Sequence, residues 1–280
     1  MKKMNQFIKN ISTELVRFIA PGVLWQRKFQ NLTRARHEIE LNLLPALSDR
    51  AKTSIDIGAA AGVFSASLLP MSRDCVAFEP RPAQAADMRA MFESVGASVR
   101  VESVALSDQT GTMPLRILVE DQGRSTIEAD NYLEDEDGSA REEIQVPVCR
   151  LDDYGFDGVG FIKIDVEGHE LSVLKGARAT IVREQPTLLV EIENRHKPNA
   201  VADVTAFLRG LGYTGFFLLE NSVQPMAEFV VANHQNPANI GGWKSQWKRL
   251  GVYVNNFIFL PRGREHILRE AVSAGRVGLA

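Results

Sequence analysis

The segment FIKIDVEGHE, residues 161–170, places several titratable side chains at the end of an apolar run. Alternation along a strand puts Lys163 and Asp165 on the same face, and an unpaired buried Lys163 would be costly. We therefore expect Asp165 to end a buried strand, Glu167 to lie in the turn and His169 to begin a helix. Acidic and histidine side chains can act as general bases, and a base with a pKa near the operating pH removes a proton from a hydroxyl group well.

A second polar group follows the next predicted strand, TLLVEIE, residues 187–193. Glu191 lies on this strand, and Asn194 and His196 follow its end. Parallel strands bring their carboxyl ends to one edge of a sheet, where ligands bind. The sequence therefore predicts that these side chains face the same crevice as Asp165, with His196 in contact with the substrate.

Two chemistries remain open for this crevice. In the first, His169 or an acid near Asp165 is a general base; a surface position for His169 at the helix start is an equal alternative. In the second, Asp165, Glu191 and Asn194 bind Mg²⁺, which prefers oxygen ligands and lowers the pKa of a bound hydroxyl.

The elements that position these residues alternate between strands and helices from residue 53 onward. This alternation predicts a parallel sheet covered by helices on both faces. The predicted strands cover residues 53–58, 74–80, 99–108, 111–119, 142–151, 160–168, 187–193, 213–220 and 252–261. The predicted helices cover residues 59–69, 82–95, 169–184 and 199–211.

The first strand ends in the glycine-containing loop IDIGAAAGVF. Gly58 and Gly62 allow a tight turn and a close approach of the backbone to a ligand. The G-x-x-x-G spacing is neither the dinucleotide fingerprint nor a P-loop. Asp56, just before the turn, could hold a cationic amino group or a water molecule, or could cap the next helix.

Glu79 ends the second strand about 20 residues after this loop, a position where a carboxylate accepts hydrogen bonds from a ribose diol. A solvated strand end is the alternative for Glu79. The register of Asp56 and Glu79 on adjacent strands favours a nucleoside-type ligand at this edge.

The segments DIGAAAGVFS, VAFEPRP, ALSDQTG, RLDDYG, FIKIDVEGHELSVLKGA and PTLLVEI together resemble the FkbM-type S-adenosylmethionine-dependent methyltransferases. The resemblance covers roughly residues 53–195. It implies an α/β class I methyltransferase fold, Rossmann-like and doubly wound, with a seven-stranded, mostly parallel sheet whose last strand is antiparallel. It also implies S-adenosyl-L-methionine as the methyl donor, and O-methylation of a sugar, glycan, glycolipid or polyketide-like metabolite.

The resemblance also implies roles for individual residues. Glu79 would take the ribose hydroxyls, Val104 and Ala105 would flank the adenine, and Asp165 would lie beside the reacting methyl group. Ser125 and Thr126 match a small-hydroxyl segment of the family and would bind substrate or cofactor, unless they belong to a plain solvated loop. The loop near the methionine end of the cofactor would contain Asp56, Gly58, Ala59 and Gly62.

We expect three regions along the chain: a helical N-terminal arm or cap (1–50), the methyltransferase domain (51–265) and a C-terminal tail (266–280). The arm would contain a helix over residues 5–20, ended by Pro21-Gly22, and a second helix over residues 25–47. We expect the arm to dock on the domain; partner or membrane-surface contact and homodimerisation are its other possible roles. Trp243 and Trp247, beside cationic residues, could stack on a sugar, sit at a membrane surface or pack on the sheet.

Composition limits the remaining classes. The chain has 280 residues, 45% hydrophobic and 24% charged, and a net charge of −3. This charge provides no global attraction for nucleic acid. No apolar run reaches 18 residues, no signal peptide is recognised, and two distant cysteines suit a reducing cytoplasm. A nucleotide-cofactor oxidoreductase and a non-catalytic binding scaffold are the alternative functions.

Overall fold

The computed structural model describes residues 21–34, 39–118, 125–128, 131, 141–220, 222–241 and 250–274. The helix expected over residues 5–20 and the segment with Trp243 and Trp247 lie outside these ranges. Membrane contact and dimerisation through the arm therefore stay predictions. No helix in the described ranges is long and apolar enough to cross a membrane.

The described chain alternates between strands and helices, as the sequence predicts. The strands are β1 (Thr53–Ile57), β2 (Asp74–Phe78), β3 (Val99–Glu102), β4 (Ala105–Leu106), β5 (Gly111–Leu118), β6 (Ser125–Thr126), β7 (Arg141–Cys149), β8 (Val159–Ile164), β9 (Thr187–Glu191), β10 (Tyr213–Leu219), β11 (Ser222–Pro225) and β12 (Asn256–Pro261). The helices are α1 (Pro21–Arg34), α2 (Leu44–Leu47), α3 (Val63–Leu68), α4 (Pro82–Ser94), α5 (Glu170–Gly176), α6 (Arg178–Glu184), α7 (Ala200–Gly210), α8 (Val231–His234) and α9 (His266–Ser273).

The main sheet has the strand order β11-β10-β12-β9-β8-β1-β2-β3. Strands β9, β8, β1, β2 and β3 are parallel, and β12 is antiparallel to both β9 and β10. The seven expected strands and the antiparallel last strand are confirmed, and the short edge strand β11 adds an eighth. The winding direction changes between β1 and β8, so a ligand crevice is expected outside the carboxyl ends of these two strands.

Both faces of the sheet are covered by helices. Helices α5, α6 and α7 pack on one face over a buried cluster that includes Ile57 and Ile162. Helices α2, α3 and α9 pack on the other face around Phe161. Helix α9 lies within the predicted tail, residues 266–280, yet it buries Leu268 and Ala271 in this second cluster.

Helix α1 docks on the domain as expected. Its residues Trp25 and Phe29 pack against the cluster beneath α4, where the Phe29 and Phe92 rings meet edge to face at 6.1 Å. Pro21 and Gly22 belong to α1, and the helix expected before them lies outside the described ranges, so its end at Pro21-Gly22 stays a prediction. Proline is compatible with a first helical turn, where its missing N–H has no intrahelical partner.

The second predicted helix, residues 25–47, is not continuous. Helix α1 ends at Arg34, and a 3₁₀ turn over Ile39–Asn42 precedes α2. The predicted helix over residues 169–184 is likewise divided at Ala177, where α5 ends and α6 begins. The side chain of Asp152 accepts hydrogen bonds from backbone N–H groups in the first turn of α6, which gives that helix its own start.

A small second sheet, ordered β4-β7-β5-β6, covers the carboxyl edge. Strands β5 and β7 confirm two predicted strands, and β6 forms within the segment expected to be a loop. The strand predicted over residues 99–108 divides after Glu102, and β4 pairs with β7 instead of β2. This change of sheet carries Val104 and Ala105 over the end of β1.

Candidate active site

A cavity opens at the carboxyl ends of β1, β2 and β8. The small sheet forms its opposite wall. The residues that line it are Ile57, Gly58, Ala60, Phe78, Glu79, Pro80, Arg81, Val104, Ala105, Leu106, Leu115, Ser125, Thr126, Ile127, Asp165, Val166 and Glu167.

The sequence-based site residues divide into two groups. Those in the cavity wall are Gly58, Glu79, Val104, Ala105, Ser125, Thr126 and Asp165. Those that do not line the cavity are Asp56, Ala59, Gly62, His169, Glu191, Asn194 and His196. The structure thus brings the first group together around one cavity, and ligand contacts by these residues stay a prediction.

The ends of β1 and β8 meet at Gly58. Its φ of +78° is left-handed, and a Cβ at this position would lie 1.7 Å from the carbonyl oxygen of Asp165. The backbone N–H of Asp165 donates to the carbonyl of Ile57 at 2.9 Å. The glycine therefore allows the first loop and Asp165 to share one wall of the cavity.

The carboxylate of Glu79 is held from two directions. Oε2 accepts from the backbone N–H of Ala60 at 2.9 Å, and Oε1 accepts from the backbone N–H of Arg81 at 2.9 Å. The Arg81 guanidinium donates to both oxygens, from Nε to Oε1 at 2.7 Å and from Nη2 to Oε2 at 3.1 Å. Glu79 is thus a buried, oriented carboxylate rather than a solvated strand end.

Asp56 caps a helix. Its Oδ2 accepts from the backbone N–H of Ser65 at 2.8 Å and from the Ser65 hydroxyl at 2.6 Å. Burial raises the pKa of Asp56, which these hydrogen bonds and Lys163 only partly offset. The carboxylate therefore fixes the start of α3 behind the loop, which is the alternative that the sequence left open.

His169 is buried between two side chains. Its Nε2 lies 2.8 Å from the Ser107 hydroxyl, and its Nδ1 lies 3.1 Å from Oε2 of Glu128. Lys197 reaches the same Glu128 oxygen at 3.2 Å. The imidazole joins the start of α5 to the segment after β6, and the surface alternative for His169 is wrong because only 6% of the residue is exposed.

Glu167 enters the cavity wall, although the sequence places it only in a turn. Its φ of +51° is left-handed, and its carbonyl accepts hydrogen bonds from the Thr126 hydroxyl at 2.9 Å and the Asn131 amide at 2.6 Å. Burial alone would raise the pKa of Glu167, but the charge of His196 outweighs it and lowers the pKa. The turn therefore presents an ionised carboxylate.

His196 lies inside a chain of alternating charges. Its Nδ1 is 2.9 Å from Glu167, its Nε2 is 3.3 Å from Glu193, and Arg195 closes a bidentate pair with Glu193 at 2.6 and 2.8 Å. Burial opposes the charged imidazole, but the two glutamates raise the pKa of His196 to about 10. His196 is therefore a cation at neutral pH and has no free lone pair to accept a proton.

Glu191 lies at the end of β9, partly open to solvent. Its Oε1 accepts from the Asn255 amide at 2.6 Å, and its Oε2 lies 3.6 Å from Nζ of Lys163. Burial, followed by the negative charge of Asp165, raises the pKa of Glu191 to about 8. Lys163 also donates to Asn256 at 3.1 Å, so this buried lysine has the polar partners that its burial requires.

The predicted Mg²⁺ ligands do not fit a metal ion. The side-chain oxygen of Asn194 accepts from the backbone N–H of Val201, and the oxygens of Glu191 face Asn255 and a lysine cation. Within the described ranges, no group of three or more His, Cys, Asp or Glu side chains is arranged to hold a metal. The magnesium prediction is therefore not supported.

The sequence matches a known family model. Residues 56–214 match the methyltransferase FkbM domain, which is more than half of the chain. The chain belongs to the FkbM methyltransferase family. The matched FkbM segment begins at Asp56, includes every predicted site residue and ends at the start of β10.

The chain is also similar to several individual proteins. The 31-O-demethyl-FK506 methyltransferase FkbM of Streptomyces tacrolimicus is 28% identical over 221 residues, which cover 68% of this chain and 81% of the relative. A crystal structure of methyltransferase FkbM from Methylobacillus flagellatus is 18% identical with a TM-score of 0.48, and the match covers 75% of this chain but only 44% of that one. An rRNA methylase from Streptococcus thermophilus is 11% identical with a TM-score of 0.43, over 81% of this chain and 96% of that one.

Proposed function

We propose that this FkbM-family methyltransferase uses S-adenosyl-L-methionine to methylate a hydroxyl oxygen of a sugar, glycan, glycolipid or polyketide-like metabolite. The observation that carries the proposal is the pairing of Asp165, in the cavity wall, with Glu191, whose pKa is raised to about 8. A base with a pKa near the operating pH suits the removal of a proton from a hydroxyl acceptor. The relative from S. tacrolimicus is named for a 31-O-methylation, which supports oxygen as the acceptor.

In this proposal, the cofactor would bind along the cavity wall. Glu79 would take the ribose hydroxyls, Val104 and Ala105 would flank the adenine, and the loop at Gly58 would approach the methionine end. The missing Cβ of Gly58 supports this fit, because it leaves the loop and the Asp165 carbonyl in direct contact. When bound, S-adenosylmethionine supplies a methyl group already activated on a sulfonium, so positioning provides much of the rate.

Asp165 and Glu191 would remove the hydroxyl proton as a pair. The fully ionised pair is a stronger base than either carboxylate alone, because each negative charge stabilises a proton on the other. Asp165 lines the cavity and would receive the proton, and Glu191 would raise its basicity from behind. His169 and His196 do not suit this step, since one joins Ser107 to Glu128 and the other is already protonated.

Ser125 and Thr126 would contact the substrate or the cofactor from the small sheet. The Thr126 hydroxyl is held on the carbonyl of Glu167, so β6 is fixed relative to the turn after β8. His196 would act on the substrate indirectly, by keeping Glu167 ionised in the cavity wall. The family favours a methyltransferase over the oxidoreductase alternative, and a cytoplasmic location stays a prediction.

Transfer of a radiolabelled methyl group into fractions of cell extract tests this function. The wild type should label a hydroxyl-bearing fraction with an ether linkage stable to alkali, and Asp165→Asn should reduce the rate by about a hundredfold or more, as for a lost general base. Asp203→Asn, an exposed acid on α7, is the matched control. Label on nitrogen, or equal labelling by Asp165→Asn, would contradict the proposal.

A further inference from the structure

The Glu79–Arg81 ion pair lies at the end of the cavity assigned to the ribose. Both side chains are almost completely buried, and the two residues are separated by only one residue in the sequence. A carboxylate has about four lone-pair sites in total, two on each oxygen. Glu79 already accepts four hydrogen bonds, two on each oxygen, so the described structure leaves it no free site for a ribose hydroxyl.

The four donors differ in how easily they can leave. The N–H groups of Ala60 and Arg81 belong to the backbone, and they orient the carboxylate towards the cavity. The other two donors belong to the Arg81 guanidinium, which sits at the end of a flexible side chain. A cis-diol also offers two hydrogen-bond donors. It can therefore replace the guanidinium on Glu79 without disturbing the backbone.

The closed pair is also incomplete. Nη1 of Arg81 is buried and has no hydrogen-bond partner among the described residues, although it belongs to a residue in the cavity wall. A buried donor without an acceptor lowers the stability of the arrangement that holds it. This cost partly offsets the stabilisation of Glu79 by Arg81, and it is removed when the guanidinium leaves its buried position.

We infer that Arg81 competes with the ribose diol of the cofactor for the carboxylate of Glu79, and so sets the affinity of the site for diol-bearing nucleosides. The inference rests on the proposed function, because that function assigns the ribose to Glu79. A site closed by its own side chain binds more weakly, in proportion to the fraction of molecules that are open. Removing the guanidinium should therefore tighten binding.

Isothermal titration with S-adenosylhomocysteine tests the competition in the wild type, Arg81→Met and Arg81→Lys. Arg81 uses no side-chain hydrogen bond to cap α4, so replacing it leaves the helix start intact. Arg81→Met should bind S-adenosylhomocysteine more tightly by about threefold or more, because the closed state is lost. Arg81→Lys cannot form the bidentate fork, so its affinity for S-adenosylhomocysteine should lie between those of the wild type and Arg81→Met.

The 2′,3′-O-isopropylidene derivative of S-adenosylhomocysteine is the matched ligand control, because its diol cannot donate. Its affinity should not increase in Arg81→Met. Equal or weaker binding of S-adenosylhomocysteine by a folded Arg81→Met protein, or an equal gain for the blocked ligand, would overturn the inference while leaving the proposed function in place. Binding by neither the wild type nor the variants would instead overturn the proposed function, and the inference with it.

Discussion

The two halves of the carboxyl edge are built differently. At the ends of β1 and β2, the cavity wall consists of apolar side chains, the backbone at Gly58 and the Glu79–Arg81 pair, all between residues 57 and 81. At the ends of β8 and β9, buried charges form a network whose partners come from β12 and from the segment after β6. In the proposed function, the first half holds the ligand and the second moves a proton.

The residues at the strand ends could be predicted from the sequence. Gly58, Glu79 and Asp165 follow from one rule, that parallel strands place their carboxyl ends together. Val104 and Ala105 are expected from the family resemblance, which does not indicate the change of sheet that brings them to the cavity. The positions of Gly58, Glu79 and Asp165 depend on local sequence and on the order of the strands.

The partners of the second half could not be predicted in the same way. Tyr253 donates to Glu193, Asn255 to Glu191, and Lys163 to Asn256, across separations of 60, 64 and 93 residues. Periodicity carries no information about such pairs, because they depend on how β12 is inserted beside β9.

Two roles changed for the same reason. His169 and Glu167 both lie in the turn after β8, and the sequence gives no signal for which of them enters the cavity. Glu167 has a left-handed backbone conformation, and it is the one of these two residues that lines the cavity. Glu128 and Ser107, which hold His169, lie 41 and 62 residues away from it in the chain.

The largest expected effect is at the contact between the halves. Gly58→Ala should destabilise the fold by more than about 3 kcal/mol, beyond the usual range for overpacking, because the new Cβ meets a backbone carbonyl at 1.7 Å. Gly155→Ala is the matched control, since Gly155 has a φ of +60° but open space around it. Gly155→Ala should destabilise the fold by only about 1–2 kcal/mol, which is the usual cost of a left-handed backbone for a residue with a Cβ. Equal denaturation midpoints for the two variants would show that the contact is not required.

The second-largest expected effect concerns the buried charges at the ends of β8 and β9. Glu193→Gln should destabilise the protein by about 3–5 kcal/mol, because it leaves the buried Arg195 without its carboxylate partner and His196 with Glu167 alone. Urea denaturation measures this change. Asp74→Asn, which breaks the exposed Arg73–Asp74 pair, should cost less than about 1 kcal/mol. A loss for Glu193→Gln as small as that of Asp74→Asn would mean that the network does not depend on its charges.

The third effect concerns pH. In the proposed mechanism the base is the fully ionised Asp165–Glu191 pair, and Glu191 would lose its proton only near pH 8, so the wild-type rate should rise as pH increases towards about 8. In Glu191→Gln, Asp165 would act alone as a weaker base. The rate should then be lower by about tenfold or more and nearly independent of pH between about 6 and 9.

Stability provides the control for this assignment. Because the pKa of Glu191 is raised from 4.5 to about 8 by folding, its contribution to stability is complete below pH 4.5 and is lost as pH rises through 8. Glu191→Gln should remove this part of the pH dependence of unfolding. An unchanged pH–rate profile together with an unchanged pH–stability profile would place the base elsewhere.

The most direct test of the division between the halves is titration of S-adenosylhomocysteine into folded Glu79→Gln and Glu191→Gln proteins in parallel. Glu79→Gln should weaken binding by about tenfold or more, because hydrogen bonds to a charged acceptor are lost. Glu191→Gln should change the affinity by less than about threefold, since the residue does not line the cavity. The reverse pattern, or an equal loss in both variants, would contradict the account.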